Sequence, residues 1–286
     1  MTPLLSLDAV DHMFADGSFG LRGCSLGLER GLRHALLGAN GAGKTTLLLH
    51  LNGLLRPSAG TLRRDGQPFD YSRAGMAELR RRVGLVFQNP DRQLFSAQVE
   101  EDVSFGPLNL GLDAATVRAR VASALEAVGL QGHGGRAVHH LSFGQKKRVC
   151  IAGVLAMEPE VLLLDEPMAG LDAAMQVELE ALLDRLAARG VTVLLSTHDV
   201  DFAYRWADRI HLMAQGGCIA SGPAYQVARQ QDALRAAGQR TPSALALHTL
   251  LAERGVLEHD HHPRSVEAVL DALRALPTIH SGAPST

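Results

Sequence analysis

The chain of 286 residues is long enough for one large domain with an additional segment, and its net charge of −2 gives no reason to expect a nucleic-acid partner. Its cysteines, Cys24, Cys150 and Cys218, are scattered without C-x-x-C spacing, which favours a reducing compartment and indicates no structural metal site. No apolar run approaches the ~18 residues of a membrane span, and residues 1–10 lack a signal-peptide pattern, so we expect any membrane role to pass through a partner.

Short apolar runs predict two sheets. From Leu4 to Leu37 the runs are broken by turn residues, and residues 60–66 have the pattern of a hairpin, so we expect a small antiparallel sheet. Further runs are nearly continuous, as is typical of strands buried on both faces of a parallel sheet: His34–Leu37, Val83–Phe87, Val161–Leu164 and Val191–Leu195. The predicted fold class is therefore α/β, with a mostly parallel core sheet.

A glycine-rich loop with the spacing G-x-x-x-x-G-K-[ST] occupies residues 38–45. A strand precedes it and a helix beginning near Lys44 follows, so backbone N–H groups and the positive helix end converge on one site suited to phosphate. Lys44 is placed to reach the β- and γ-phosphates of a nucleotide, and the Thr45 hydroxyl to ligate Mg²⁺. The flanking strand and helix disfavour the alternative, a glycine-rich turn with a surface lysine. Because the chain has no internal repeat, it is predicted to hold one nucleotide cassette.

Polar residues follow the other apolar runs, at the edge where open α/β sheets bind ligands. Asp165 is placed to hold Mg²⁺, and Glu166 to accept a proton from water that attacks the γ-phosphate. His198 is placed to contact the γ-phosphate and to orient Glu166 and the water, and the Gln88 amide can touch Mg²⁺ or its water. The alternatives are a solvated acid pair, a structural histidine and an ordinary loop glutamine.

Helical patterns occupy residues 89–158, an insertion between two core strands, with helices predicted at Ala114–Val128 and Gly144–Met157. Ser142 and Gln145 match a capping box that opens the second helix. That match is a complete structural explanation, although an exposed helix start is also a second phosphate-binding end.

Three basic residues lie in the first turn of the same helix, against the preference of the helix macrodipole: Lys146, Lys147 and Arg148. A bound anion would explain them, and so would three solvated side chains. The sequence leaves both explanations open.

Residues 222–286 are predicted to form a separate helical appendix with a small-residue tail, because the composition shifts beyond Gly217. Helices are predicted at Pro242–Arg254 and Ser265–Leu276. The segment between these helices contains a polar cluster of His259, Asp260, His261 and His262. The cluster could hold a metal, but we favour a flexible, histidine-rich linker.

Taken together, these motifs resemble those of the nucleotide-binding subunits of ATP-binding-cassette (ABC) transporters, over about Leu4 to Ser221. The matching stretches are GANGAGKTT, Gln88, LSFGQ, LLLDEP, Ala169–Asp172 and Thr197–Asp199. The resemblance implies a P-loop NTPase fold, with residues 1–221 as the ATP-binding domain, 89–158 as its helical insertion and 222–286 as an appendix that assists dimerisation.

The resemblance also implies a set of site residues. ATP is expected on Gly38, Asn40, Gly41, Ala42, Gly43, Lys44, Thr45 and Thr46. Mg²⁺ is expected on Thr45, Gln88 and Asp165, with Glu166 as the catalytic base and His198 as a γ-phosphate switch. The site of a second copy would be completed by Ser142, Gly144 and Gln145, with Asp172 at the dimer seam. Phe143 stands where the family more commonly has glycine, so we do not expect it to bind the nucleotide.

Phe14 lies where the family stacks an aromatic ring on adenine. A core phenylalanine at a strand end is the alternative.

A narrower resemblance is carried by residues 86–95 and 141–157, which are similar to the ATPases of energy-coupling-factor importers. The second stretch is most similar to the CbiO group, the ATPases of cobalt and nickel uptake. This implies a membrane coupling protein, a metal-binding membrane subunit and a second copy as partners, at the cytoplasmic face of the membrane. The coupling protein is expected to dock by residues 89–106, because Gln88 lies at the root of that segment.

Two functions other than import would require different sequence features. An ATPase acting on DNA or ribosomes would be expected to have basic faces, a coiled-coil insertion or a second cassette, and a small-molecule kinase would not need LSFGQ. A soluble, nucleotide-gated ABC ATPase or regulator remains open, as does the choice between cobalt and nickel.

Overall fold

A six-stranded sheet forms the centre of the computed structural model, which describes residues 2–258 and 262–276. Its strands lie in the order β10-β9-β3-β8-β7-β6, and all neighbouring pairs are parallel except β10 with β9. Their bounds are β3 (Arg33–Gly38), β6 (Val83–Val86), β7 (Val161–Leu164), β8 (Thr192–Thr197), β9 (Arg209–Ala214) and β10 (Gly217–Pro223). The predicted parallel core sheet is confirmed.

A four-stranded antiparallel sheet lies beside the core sheet, in the order β2-β1-β4-β5. Its strands are β1 (Leu5–Met13), β2 (Phe19–Leu28), β4 (Ala59–Arg64) and β5 (Gln67–Pro68). The backbone N–H of Arg22 in β2 donates to the carbonyl of Gly216 at 3.0 Å, which joins this sheet to the β9–β10 turn. The predicted antiparallel sheet is therefore present, and it lies next to the glycine-rich loop.

Helices lie on both sides of the core sheet and make up most of the C-terminal region. They are α1 (Lys44–Leu51), α2 (Arg73–Arg82), α3 (Val99–Asn109), α4 (Ala114–Ala127), α5 (Phe143–Leu155), α6 (Ala173–Ala188), α7 (Val200–Trp206), α8 (Ala224–Ala228), α9 (Gln231–Ala236), α10 (Ser243–Glu253) and α11 (Val266–Arg274). Helices α3 to α5 form the predicted insertion. In the part of the chain that the structure describes, none of the helices has both the length and the apolar character that crossing a bilayer requires.

The core strands are buried on both faces, as their unbroken apolar runs predict. Leu37 and Leu164 belong to one hydrophobic cluster, which includes residues of α5, α6 and α7. Leu36 and Leu163 belong to a second cluster, which includes residues of the antiparallel sheet and α1. Because side chains alternate along a strand, each strand contributes to both hydrophobic clusters. This burial positions the carboxyl ends of the strands, from which the loops of the site begin.

The C-terminal region packs on the core through specific contacts. Arg264 donates from Nε to the carbonyl of Tyr204 at 2.7 Å, and Val269 of α11 is fully buried. The backbone N–H of Ala39, in the glycine-rich loop, donates to the carbonyl of Ala237 at 3.0 Å. The boundary at residues 221–222 stays a prediction.

Two buried histidines form a chain of hydrogen bonds across β3, β9 and β10. His34 donates from Nε2 to the carbonyl of Glu29 at 3.1 Å and accepts at Nδ1 from His211 at 3.0 Å, while His211 Nδ1 pairs with the Ser221 hydroxyl at 2.8 Å. These contacts suit neutral rings in one tautomer. Burial lowers the pKa of His34 and lowers that of His211 well below its ordinary value.

This pair makes the stability of the fold depend on pH. Below pH ~6.5 the unfolded chain binds protons at His34 and His211 that the folded protein excludes, so the free energy of unfolding falls as the pH drops. We expect a loss of up to about 1.4 kcal/mol per histidine per pH unit between pH 6.5 and 5. Urea unfolding at several pH values measures it. The variant His139→Asn, which removes an exposed histidine, should show the same loss; a flat profile over this range would contradict the assignment.

Candidate active site

The glycine-rich loop connects β3 to α1 by a backbone path that side chains would block. A Cβ at Gly38 would lie 2.6 Å from the carbonyl oxygen of Met213, and one at Gly43 would lie 2.5 Å from that of Gly20. Gly43 also has φ of +100°, a conformation that glycine adopts without strain. The loop therefore lies close to its neighbours at the start of α1, where the positive end of the helix favours a phosphate group.

Lys44 is buried beneath this loop. Its Nζ donates to the carbonyls of Gly38 at 2.7 Å and Ala39 at 3.2 Å, and lies 3.8 Å from Glu166 Oε1. A buried ammonium needs such partners, because desolvation of an unpaired charge is costly. The loop thus holds the positive charge at the phosphate end of the cavity.

Thr45 and Asp165 are brought together although 120 residues separate them along the chain. The Thr45 hydroxyl donates to Asp165 Oδ2 at 2.7 Å, and the Ser196 hydroxyl donates to Asp165 Oδ1 at 2.6 Å. Carboxylate and hydroxyl oxygens, together with the side-chain amide oxygen of Gln88, which lines the same cavity, are the oxygen ligands that Mg²⁺ prefers. The residues present therefore fit a magnesium ion.

Glu166 and His198 face each other across the end of the sheet. His198 Nδ1 lies 3.0 Å from Glu166 Oε2, and the backbone N–H of Glu166 donates to the Ser196 hydroxyl at 2.9 Å. The Glu166 side chain is 12% exposed and that of His198 is 71% exposed, so the histidine is the one with room to move. Glu166 also has φ of +44°, a left-handed conformation that costs a non-glycine residue roughly 1–2 kcal/mol. A strained residue at a strand end is a frequent feature of functional sites.

One open cavity of about 970 Å³, within the range of sites for small-molecule ligands, is lined by Lys44, Thr45, Gln88, Asp165, Glu166 and His198. Phe14, which is 40% exposed, lines the cavity together with Phe19, which is 50% exposed. A Cβ at Gly20 would lie 2.8 Å from the Phe14 ring, so a larger residue at this position would displace the ring. These aromatic rings suit a base, and the role of Phe14 stays a prediction.

The cavity also has a wall that sequence reasoning missed, formed by residues 238–240 from the C-terminal region. Arg240 pairs with Asp201 of α7 and donates to the Ser243 hydroxyl at 2.7 Å. The Ser243 N–H in turn donates to Asp201 at 2.5 Å. Helix α7 begins two residues after His198. The appendix therefore contacts both the glycine-rich loop and the helix that follows the histidine. No local pattern around Arg240 indicates this.

Ser142, Gly144, Gln145 and Asp172 do not line this cavity. Ser142 and Gln145 form the predicted capping box at the start of α5, and Asp172 caps α6 by accepting from the Met175 N–H at 2.8 Å. Within one copy they therefore have structural roles, and they lie apart from the phosphate loop. A role at the site of a second copy stays a prediction.

The three basic residues of α5 already have partners within the protein, which answers the question that the sequence leaves open. Lys146 pairs with Asp91 at 2.7 Å, and Arg148 with Glu178 at 3.1 Å. Lys147 is buried and donates to backbone carbonyls. These internal partners satisfy the three positive charges without a bound anion.

The structure describes one residue of the predicted histidine-rich cluster. His259, Asp260 and His261 lie outside the described residues, while His262 stacks on Tyr225 with 3.7 Å between ring centroids. Among residues 2–258 and 262–276, no group of three or more His, Cys, Asp or Glu side chains is arranged to hold a metal.

Comparison with known proteins identifies the family of this chain. The sequence profile of the family described as "ABC transporter" matches residues 21–169. The chain belongs to the ABC transporter family. The energy-coupling factor transporter ATP-binding protein EcfA of Methanothermobacter thermautotrophicus is 46% identical to this ABC protein over 252 residues, 88% of this chain and 81% of the relative. The cobalt import ATP-binding protein CbiO of Rhodobacter capsulatus is 50% identical over 247 residues, 86% of this chain and 88% of the relative.

Solved ABC structures agree with the fold. CbiO1 of Clostridium perfringens, described as part of the ABC transporter complex CbiONQ, has a TM-score of 0.73 at 42% identity, over 82% of this chain and 94% of that one. The bacterial ABC transporter cassette MJ0796, solved as a dimer, has a TM-score of 0.70 at 26% identity, over 77% of this chain and 98% of that one. The predicted family is confirmed: this ABC protein is the ATPase subunit of an energy-coupling-factor or CbiO-type transporter, and it uses ATP with Mg²⁺.

Proposed function

We propose that this ATPase powers the import of a transition-metal ion, cobalt or nickel, from the cytoplasmic face of the membrane. The observation that carries the proposal is the 50% identity to a cobalt import ATP-binding protein over most of both chains. The narrower likeness of residues 86–95 and 141–157 supports it. The transported ion is a substrate of the membrane subunits, so the nucleotide cavity itself does not select it.

We further propose how the site residues share the work of hydrolysis. Lys44 and the loop N–H groups hold the phosphates, and Glu166 accepts a proton from the attacking water. His198 positions that water and senses the γ-phosphate. Mg²⁺, when bound near Thr45, Asp165 and Gln88, neutralises phosphate charge.

The proposed power stroke is the pairing of two copies. Ser142 and Gly144 would complete the ATP site of the partner copy, with Asp172 at the seam between them. The geometry supports this, because the start of α5 lies outside its own cavity and Ser142 and Phe143 are exposed on the surface. Binding of ATP would close the pair, and loss of the γ-phosphate would release it. The ABC transporter cassette MJ0796 was solved as a dimer.

An apolar groove of about 530 Å³ is the proposed docking site of the membrane coupling protein. Phe95 and Phe105 line it, 64% and 50% exposed, with their rings 4.7 Å apart. Asp102 holds the loop before α3 by accepting from the N–H groups of Phe95 and Ser96 at 3.3 and 3.0 Å. Because this loop follows Gln88 of the nucleotide cavity, ATP and partner would be sensed by one continuous segment.

Phe95→Asp should lower metal uptake by the assembled transporter at least about tenfold, because a carboxylate in an apolar interface is costly to desolvate. ATP hydrolysis by the isolated subunit should stay within twofold of the original protein. Ile219→Asp, which alters an exposed apolar residue on β10, is the matched control and should leave uptake unchanged. Equal uptake by both variants would exclude the groove as the docking site.

The substrate is tested by purifying the intact membrane complex and measuring ATP-dependent uptake of cobalt with nickel in competition. Uptake of either ion that stops with Glu166→Gln supports the proposal. ATP hydrolysis that neither needs nor responds to a membrane partner would instead indicate a soluble, nucleotide-gated regulator.

A further inference from the structure

Lys147 is a buried ammonium group, although the sequence predicts either a bound anion or a solvated side chain at this position. It is the fifth residue of α5 and is 1% exposed. Its Nζ donates to the carbonyls of Pro167 at 2.7 Å, Ala169 at 2.9 Å and Glu166 at 3.3 Å. An ammonium group has three N–H bonds, so this one is matched to three acceptors that all belong to the segment after β7.

The backbone of that segment explains why it needs a cation. Glu166 has φ of +44° and Gly170 has φ of +75°, so the chain turns sharply between them. The turn directs three carbonyl oxygens inward to one point, where the partial negative charges would otherwise lie buried together. Burial lowers the pKa of Lys147 to about 8, which still leaves the ammonium form predominant at pH 7. The charge is therefore present where the carbonyls converge.

The two ends of this contact belong to different parts of the site. Glu166 provides the proposed base for the ATP held in its own copy, whereas α5 begins at the Ser142 cap, which is proposed to face the ATP of the partner copy. Lys147 links α5 to the backbone of Glu166 through its hydrogen bond to the Glu166 carbonyl. Phe143 covers the ammonium, with 5.5 Å between Nζ and the ring centroid, and also packs against Gly170.

We propose that Lys147 is a positioning residue that holds the Glu166 backbone in its left-handed conformation and makes α5 and the segment after β7 move as one body. The inference rests on the proposed role of Glu166 as base. Movement of α5 when two copies close would then be passed to the carboxylate. Lys147 itself does not contact the reacting atoms.

The test is a double-mutant cycle on the full chain, with kcat and the Kd of ATP measured for each variant. Lys147→Met should lower kcat at least about tenfold, because a small displacement of a catalytic group is costly, and should leave the Kd of ATP within twofold. In a Glu166→Gln background the same substitution should change the residual kcat less than twofold. Lys147→Gln, which keeps N–H donors, should recover part of the loss and replaces the methionine variant if that one does not fold.

The matched control is Lys146→Met, the neighbouring lysine whose partner Asp91 lies outside the cavity; it should leave kcat and Kd unchanged. The proposal is overturned if Lys147→Met keeps normal kcat, weakens ATP binding in parallel with kcat, or costs the same factor in both backgrounds. Failure of the proposed function would look different, since Glu166→Gln alone would then retain its activity.

Discussion

Glu166→Gln is expected to lower kcat for ATP hydrolysis by about 10²–10³-fold while ATP still binds with near-normal affinity. The amide has nearly the same shape as the carboxylate but accepts no proton from water. His198 would keep a hydrogen-bond partner, and Lys44, 3.8 Å from Glu166 Oε1, would still reach the phosphates. The measurement is steady-state phosphate release together with the Kd of ATP by calorimetry.

The control for this prediction is Glu126→Gln, an exposed glutamate of α4 away from the cavity, which should leave both quantities unchanged. Because the variant binds ATP without cleaving it, paired copies should accumulate during size-exclusion chromatography with ATP. A Glu166→Gln protein that hydrolyses ATP at more than half the normal rate would remove Glu166 from the role of base.

Lys44→Met should weaken ATP binding at least about 100-fold, because hydrogen bonds between a charged donor and phosphate contribute roughly 1.5–3 kcal/mol each. The loss has a second cause: the carbonyls of Gly38 and Ala39 lose the donor that orders the loop. Equilibrium dialysis with labelled ATP measures the Kd, and a thermal melt checks that the variant is folded.

Lys146→Met serves as the control, since its ammonium pairs with Asp91 on the insertion, and it should bind ATP normally. If the Lys44 variant is folded and its Kd changes less than fivefold, the phosphate end of the cavity has been assigned to the wrong residues.

The parts of the site that the sequence predicts are those determined by local spacing. The glycine loop, the acids after β7 and the capping box of α5 depend on residues within about one turn of each other, and the structure has them where the patterns place them. The core strands could be predicted for a similar reason, because burial on both faces requires an unbroken apolar run. The predicted Val83–Phe87 strand ends at Val86, one residue early.

What sequence reasoning missed depends on contacts between distant segments. Ser196 lies 31 residues from Asp165, to which it donates, and Arg240 lies 39 residues from Asp201. The three basic residues of α5 look alike in the sequence, yet Lys147 is buried and Lys146 pairs at the surface. Whether a lysine of α5 is buried depends on the position of its side chain relative to a neighbouring loop. The composition of the helix does not indicate that position.

The central claim is that hydrolysis requires two copies, each completing the ATP site of the other with the start of its α5 helix. The most direct test is the specific ATPase activity of the purified chain measured over a wide range of protein concentration at saturating ATP, with the oligomeric state determined at each point. We predict that activity per chain falls in proportion to the paired fraction and vanishes for the monomer. Full activity per chain in a monomeric sample would contradict the account.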